Sequence, residues 1–445
     1  MNLHFVQSLE TLHGGGLGQA ALSLHLAMSK LSDTSENKNI IKEDCLKDYD
    51  TLAGQSKITS SQVLAGFSGR NAPKANTDNS TQPCSILVTT RSRHFKQTWP
   101  GVIQGIRWGP NKLFFSPELR HLAQNAIKDA SVFHGHGLYV WTNLWLGKEA
   151  RHAGKPLVYH VHGFFEPWIL KRSAKKKALS KLIFESENMK YVQWWRALST
   201  VEAQQIRNNV GDQAKIHVIP NGINLDEIDG FSSKQYHASL SDCNDINDQN
   251  QMFSLDASGI YQKKREKRLL FLSRIHPKKG LDILIASWSI LTADFPDWEL
   301  VIVGPNEQGY QQNIQRLINS SKCSETCRIL PPVSGFLKSS VFRSSDLLVL
   351  PSYSEGFPMV LLEAAAYRLP IVQTFNCNFP ELDIHDCSWS CRPEIDDLTR
   401  ILRISLSASD KERYQRGENG RRLVETKYSW SQISKTILDI TSSYA

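Results

Sequence analysis

The sequence predicts an α/β protein of two Rossmann-like domains that face each other across a central cleft. Three observations carry this expectation. The chain has 445 residues, more than one ordinary core accommodates. Short apolar runs ending in turn residues recur along it, with helical patterns between most of them, as expected for parallel strands covered by helices. The series is interrupted by a polar stretch and then begins again.

The N-terminal domain is expected over residues 1–228. It opens with the strand NLHFVQSL, the glycine-rich HGGGLGQ and a helix, AALSLHLAMSKL. A polar insertion follows at about 33–82, whose composition cannot bury much surface. SILVTT resumes the sheet, and ASVFHGHG, PLVYHVHG, YVQWWRALS and KIHVIPNG continue it. Residues 229–266 read as a polar linker or loop. The C-terminal domain, 267–427, runs through RLLFLSRI, WELVIVGPN, CRILPPVSG, DLLVLPSYSEGFP and LPIVQTF. The tail 428–445 is amphipathic and helical. In such sheets a ligand sits at the carboxyl ends of the strands.

Composition excludes several classes. Hydrophobic content of 40% and charged content of 22% are those of a globular chain. No segment approaches the ~20 apolar residues that span a bilayer. The N-terminus lacks a basic segment followed by a long apolar one, so a cytoplasmic location is expected. The pairs Cys323/Cys327 and Cys387/Cys391 are too widely spaced for the usual zinc motifs, so reduced structural thiols and no metal are expected. Net charge is a mild +8, but LKRSAKKKALSK gathers Lys171, Arg172, Lys175, Lys176, Lys177 and Lys181 without one acid. A solvated helix face explains this run. So does peripheral contact with an anionic membrane, on the inner face, or with a phosphate-bearing acceptor. No nucleic-acid motif accompanies the charge, and no nucleic-acid partner is expected.

Three stretches carry candidate chemistry. In SEGFPMVLLEAAA, a strand end leads through Gly356 and Phe357 to Pro358, which suits the first position of a helix. Glu355 stands at the cleft edge, and Glu363 lies further along that helix among apolar neighbours. A buried carboxylate needs hydrogen-bond partners. A ribose diol would supply them for Glu363, and so would an ordinary ion pair. In LSRIHPKKGLDILI, Arg274 and Lys279 could hold a pyrophosphate and stabilise it as it departs, with Lys278 an alternative to Lys279 on charge alone. In LHGGGLGQAAL, Gly15, Gly16 and Gly18 would let backbone amides approach a ligand at a strand-to-helix turn. A nicotinamide site could use such a turn too, but no acidic residue closes a strand about twenty positions on.

Together these stretches resemble the retaining glycosyltransferases of family 4, which have the GT-B fold. Glu355 and Glu363 match the E-x7-E pattern, SRIHPKKG resembles the R-x4-K element, and HVIPNGINL resembles the end of the N-terminal domain. The tail resembles the final helix that crosses back onto that domain. YHVHGFFEPWILKRSAKKK is similar to members that build bacterial cell-surface polysaccharides. Pro331 departs from the glycine that the family often carries.

The resemblance implies transfer of a sugar from a nucleotide diphosphate sugar to a glycan or lipid-linked acceptor, with retained configuration. Exopolysaccharide, O-antigen or lipopolysaccharide synthesis would be the setting. It implies Glu355, His162, Arg274 and Lys279 as catalytic residues. Gly15, Gly16, Gly18, Gly356, Phe357, Pro358 and Glu363 would bind the donor. His134 and His136 would face the acceptor. The donor would be a substrate, with no further cofactor and no metal. Asp48-Tyr49-Asp50, the only D-x-D, follows no apolar strand. The alternatives are a GT-B-like sugar phosphorylase or epimerase, a nicotinamide oxidoreductase, and a non-catalytic sugar-nucleotide binding module.

Overall fold

The structure, a computed structural model, describes residues 1–8, 11–33, 85–91, 98–107, 116–171, 174–230 and 265–444, with backbone alone at 7–8, 11–18, 32–33, 91 and 168. Asp48 to Asp50, the insertion and most of the linker lie outside the described residues.

Apolar runs without alternation make strands that are buried on both faces, and a sheet of such strands must be covered twice. The second half shows this plainly. Strands β8 (Lys267–Leu272), β9 (Trp298–Val303), β10 (Cys327–Leu330), β11 (Leu347–Leu350), β12 (Ile371–Thr374) and β13 (Ser388–Cys391) form a parallel sheet in the order β10-β9-β8-β11-β12-β13. All six residues of β9 are buried, and so are all four of β11.

The first half is a second parallel sheet, ordered β3-β2-β1-β4-β5-β6-β7. Its strands are β1 (Asn2–Ser8), β2 (Ser85–Arg91), β3 (Val102–Ile106), β4 (Val132–His136), β5 (Leu157–His160), β6 (Val192–Ala197) and β7 (Ile216–Val218). Its faces differ in chemistry. Leu3, Phe5, Phe133, Leu157, Tyr159 and Trp195 make an apolar layer on one side. On the other side Val132, Val158 and Trp194 meet Ala20, Leu24 and Met28 of the Thr11–Asp33 helix and Trp430, Ile433 and Ile437 of the Trp430–Ser442 helix. Strand alternation puts Asn2, His4, His134, His136, His160 and Arg196 on that second face as well.

The Trp430–Ser442 helix therefore packs on the sheet of the first half. Burying side chains as large as its Trp430, Ile433 and Ile437 contributes roughly 2 kcal/mol each. Its approach is fixed by backbone: Ile223 N donates to Tyr428 O at 2.8 Å, and Trp430 N to Ile223 O at 3.2 Å. A Cβ on Gly222 would lie 2.8 Å from Trp430 Cα, so this crossing needs glycine.

One glycine also fixes the geometry of the LSRIHPKKG segment. Gly280 has φ +67°, and a Cβ there would sit 2.0 Å from Pro351 O. It ends the short 3₁₀ turn Pro277–Lys279 and starts the Leu281–Leu291 helix. Gly280→Ala combines a disfavoured φ with a backbone clash and is expected to cost more than about 2 kcal/mol, read as a lowered urea midpoint.

Candidate active site

The ends of β8, β9, β11 and β12 converge on a cluster of charges. Lys279 Nζ donates to Glu355 Oε1 at 2.5 Å, and both side chains are about nine-tenths buried, 8% and 10% exposed. The same oxygen accepts from Ser352 Oγ at 2.5 Å. The loop carrying Glu355 is held by the residues after β12. Glu355 N donates to Asn376 O at 3.0 Å, and Asn378 Nδ2 donates to Glu355 O at 2.5 Å. Thr374 Oγ1 donates to Ser352 O at 2.6 Å.

The neighbouring lysine points elsewhere. Lys278 Nζ donates to Glu166 Oε2 at 2.6 Å, joining the second half to the HGFFEPW loop of the first. A Cβ on Gly356 would be 3.1 Å from Glu166 Oε1, so this loop and the Glu355 loop touch. Arg274 donates to Glu307 Oε2 at 2.8 Å, with its own side chain 57% exposed. His276 feels the charges of Glu307, Arg274, Lys279 and Lys278. Burial, the largest influence, lowers its pKa.

Glu363 lies on the Met359–Ala366 helix and accepts from Lys338 Nζ at 2.6 Å. Lys338, from the Gly335–Arg343 helix, was not singled out by the sequence. Its only sequence signal is its place after β10, the loop in which Pro331 stands. Phe357 turns its ring onto Phe379 and Tyr428. Pro358 is the residue before the helix, with extended backbone, rather than its first turn.

The glycine-rich segment departs from expectation. Gly15, Gly16 and Gly18 lie inside the Thr11–Asp33 helix, not in a turn. Glycine is unfavourable in a helix by about 1 kcal/mol but not forbidden, and the following Ala and Leu residues propagate the helix back through it. Amides at these positions join the helical ladder and are not offered to a ligand.

On the facing sheet, His162 is partly exposed and has φ +52°, uncommon for a residue with a side chain. Buried Glu202 holds the turn, accepting from Gly163 N and, at 2.5 Å, from Leu198 N. His134 and His136 are corrected as acceptor contacts: both are fully buried, and both nitrogens of each are engaged. Sheet alternation turns their rings beneath the Thr11–Asp33 helix rather than into the cleft.

They belong to a ladder that the sequence foreshadowed in HGH and HVH. His4 stacks on His134, and His136 on His160, each at 4.3 Å between ring centres. Burial pushes all five histidines down, His134 and His162 to about 3, and the Arg196 charge opposes their protonation. Nitrogens of His4, His136 and His160 lie within 4.8 Å of one another, near enough for a metal ion. All but His4 Nε2 are hydrogen-bonded to other rings or to the Arg196 guanidinium, so these rings are read as a hydrogen-bonded ladder.

A second buried group opposes the histidines. The π-helical turn Lys181–Glu185 aims Glu185 at the loop after β4, where it accepts from Tyr139 N at 2.8 Å, and burial raises its pKa to about 7. The pH dependence of stability follows. The five histidines are neutral when folded and charge when unfolded, so their contribution is present above about 6.5 and is lost as pH falls toward 3. Glu185 acts oppositely, losing stability as pH rises from 4.5 through 7, and buried Glu202 shifts the same way. Histidines outnumber these acids, so unfolding takes up protons between about pH 6.5 and 4.5, and stability falls by about 1.4 kcal/mol per pH unit for each net proton. Thermal melts should show a steep drop below pH 6.5, shallower in His134→Asn.

Comparison with known proteins gives the family and the fold. The family model for glycosyl transferases group 1 matches residues 257–423, and that for Glycosyltransferase Family 4 matches 84–227. An uncharacterized glycosyltransferase of Haemophilus influenzae is 34% identical over 116 residues, 26% of this chain and 31% of that protein. A D-inositol 3-phosphate glycosyltransferase of Actinosynnema mirum is 26% identical over 269 residues, 58% of this chain and 59% of that protein. The chain thus spans less than two thirds of the length of the curated relatives it matches. Among solved structures, Anabaena HepE in complex with UDP superposes with TM-score 0.65 at 15% identity over 99% of both chains. WaaG, a glycosyltransferase involved in lipopolysaccharide biosynthesis, gives 0.59 at 15% identity over 99% of both. These likenesses show the two-domain GT-B fold. Among the described residues no helix is long and apolar enough to cross a membrane.

Proposed function

This chain belongs to the family 4 glycosyltransferases, and from that premise we propose that it moves a hexosyl group from a nucleoside diphosphate sugar to a glycan or lipid-linked acceptor with retained configuration. The observation that carries the reading is the buried Lys279–Glu355 pair beside the Lys278–Glu166 bridge. It sets a fixed cation where two parallel sheets end against each other.

Bond breaking leaves negative charge on the diphosphate. Lys279 and Arg274 stabilise that charge, exchanging their resting partners Glu355 and Glu307 for phosphate oxygens. Cations already in position need little reorganisation as the charge develops. Glu355, released from Lys279, takes sugar hydroxyls. Glu363 takes the ribose hydroxyls, exchanging Lys338, and the backbone of 356–358 adds hydrogen bonds. His162 contacts the sugar from the opposite wall. The donor phosphate accepts the acceptor's proton as the new bond forms on the same face.

The UDP held by the HepE structure supports a uridine nucleotide as carrier. WaaG, by its stated role in lipopolysaccharide biosynthesis, supports a cell-surface polysaccharide as product. A thermal-shift screen of nucleotide sugars tests the donor. A UDP-sugar at 100 times its Kd should stabilise the fold by about 2.7 kcal/mol, and no response to any nucleotide sugar would defeat the reading. Lys279→Ala should lower kcat at least about tenfold, or 1.4 kcal/mol of barrier. Glu363→Ala should mainly weaken nucleotide affinity by calorimetry.

A second reading concerns the acceptor. Lys171, Lys175, Lys176 and Lys181 are exposed, and Arg172 lies outside the described residues. Beside them Leu179, Leu182 and Ile183 are 57%, 82% and 52% exposed. Cations with unburied aliphatic side chains suit an anionic bilayer surface, where each cation contributes about 1 kcal/mol. This patch would bring the cleft to a lipid-linked acceptor. Flotation with anionic vesicles should carry the protein, Leu182→Asp should reduce the bound fraction several-fold, and equal binding to neutral vesicles would reject the charge component.

A further inference from the structure

Five histidines, Asn2 and Arg196 form two hydrogen-bonded files across β1, β4, β5 and β6, and of the five histidines only His162 is not fully buried. The direction of each file follows from its end group. Arg196 only donates, so His160 Nδ1 accepts from it at 3.3 Å. His160 must then carry its proton on Nε2 and donate to His134 Nδ1 at 3.0 Å. His134 in turn donates from Nε2 to Asn2 Oδ1 at 3.0 Å. Every ring in this file is neutral, and every nitrogen is used.

The second file runs from His4 Nδ1 to His136 Nε2 at 3.0 Å, and from His136 Nδ1 to His162 Nε2 at 3.2 Å. Its inner end, His4 Nε2, is buried without a hydrogen-bond partner among the described residues. An orphaned donor is rarer and costlier in a core than an orphaned lone pair. His4 therefore carries its proton on Nδ1 and donates to His136. His136 carries its own on Nδ1 and donates to His162 Nε2. The remaining proton of His162 is left on Nδ1, the site not preferred by imidazole in water. The backbone cannot relax this arrangement easily, because His162 and Gly163 both have positive φ and Glu202 holds the Gly163 amide.

We propose that His4 and His136 are positioning residues that fix His162 as the neutral Nδ1–H tautomer, so that His162 meets the sugar nucleotide as a hydrogen-bond donor to one of its oxygens. The identity of that ligand rests on the transfer reading above; the tautomer does not. A ring so held neither accepts a proton from the ligand through Nδ1 nor adds a positive charge to the site.

The test uses the full chain labelled with ¹⁵N-histidine, with His162→Gln assigning the His162 signals. Two-bond ¹H–¹⁵N spectra should show His162 protonated on Nδ1 and bare on Nε2, unchanged from about pH 6 to 8. His136→Phe should return His162 to the Nε2–H form. His136→Asn, whose amide N–H replaces the Nδ1–H, should restore the Nδ1 signature. His4→Phe leaves His162 and its neighbour in place and should give a mixture of both forms. In the transfer assay His136→Phe should lower kcat about tenfold or more with little change in donor KM. The proposal is overturned if wild-type His162 carries its proton on Nε2, or if neither Phe variant alters the tautomer. If a Phe variant does not fold, the wild-type spectrum alone decides. Absence of turnover with every nucleotide sugar would sink the transfer reading and leave the spectral result standing.

Discussion

Lys279 and Glu355 neutralise each other in a place where neither could be kept alone. Removing one partner from a pair this buried leaves an uncompensated charge, a loss of about 3–5 kcal/mol. The loop around Glu355 is built to keep the pair together: Ser352 shares its oxygen, and Asn376 and Asn378 grip its backbone. Gly280 lets the chain pass against Pro351 closely enough for Lys279 to arrive. A cation held this firmly is in position for an anion that can displace a single carboxylate.

The two sheets solve the problem of buried polarity differently. The second half matches charge with charge, in Lys279–Glu355, Lys338–Glu363 and, in its core, Arg268–Glu299. The first half keeps five rings uncharged and threads them with hydrogen bonds beside one guanidinium. Arg196 is anchored by the carbonyls of Ile219 and Pro220, at the segment where the chain leaves the first sheet. The paired ions of the second half lie at the cleft, and the ladder of the first half lies beneath the Thr11–Asp33 helix, with His162 at its end.

The fold was legible because parallel strands buried on both faces leave long apolar runs, as in WELVIV and LLVL. The E-x7-E spacing and the lysine pair were legible because strand, turn and helix follow one another locally there. What could not be read came from distant segments. Nothing in the sequence around Lys338 ties it to Glu363, 25 residues on. Lys278 and Lys279 are adjacent, and only the tertiary fold sends one across to Glu166. The glycine-rich run misled because local propensity yields to a helix already stabilised by packing along the rest of its length. HGH and HVH carried a usable signal in their period of two, which puts both rings of each on one face of a strand.

The chain passes between the halves twice, and the two passages lie side by side, laced by the Ile223–Tyr428 and Trp430–Ile223 hydrogen bonds. A single tether would let two lobes swivel freely. A double strap bends about its width but resists torsion, much as a door hung on a strip hinge swings without wobbling. Relative motion of the halves is then biased toward one plane.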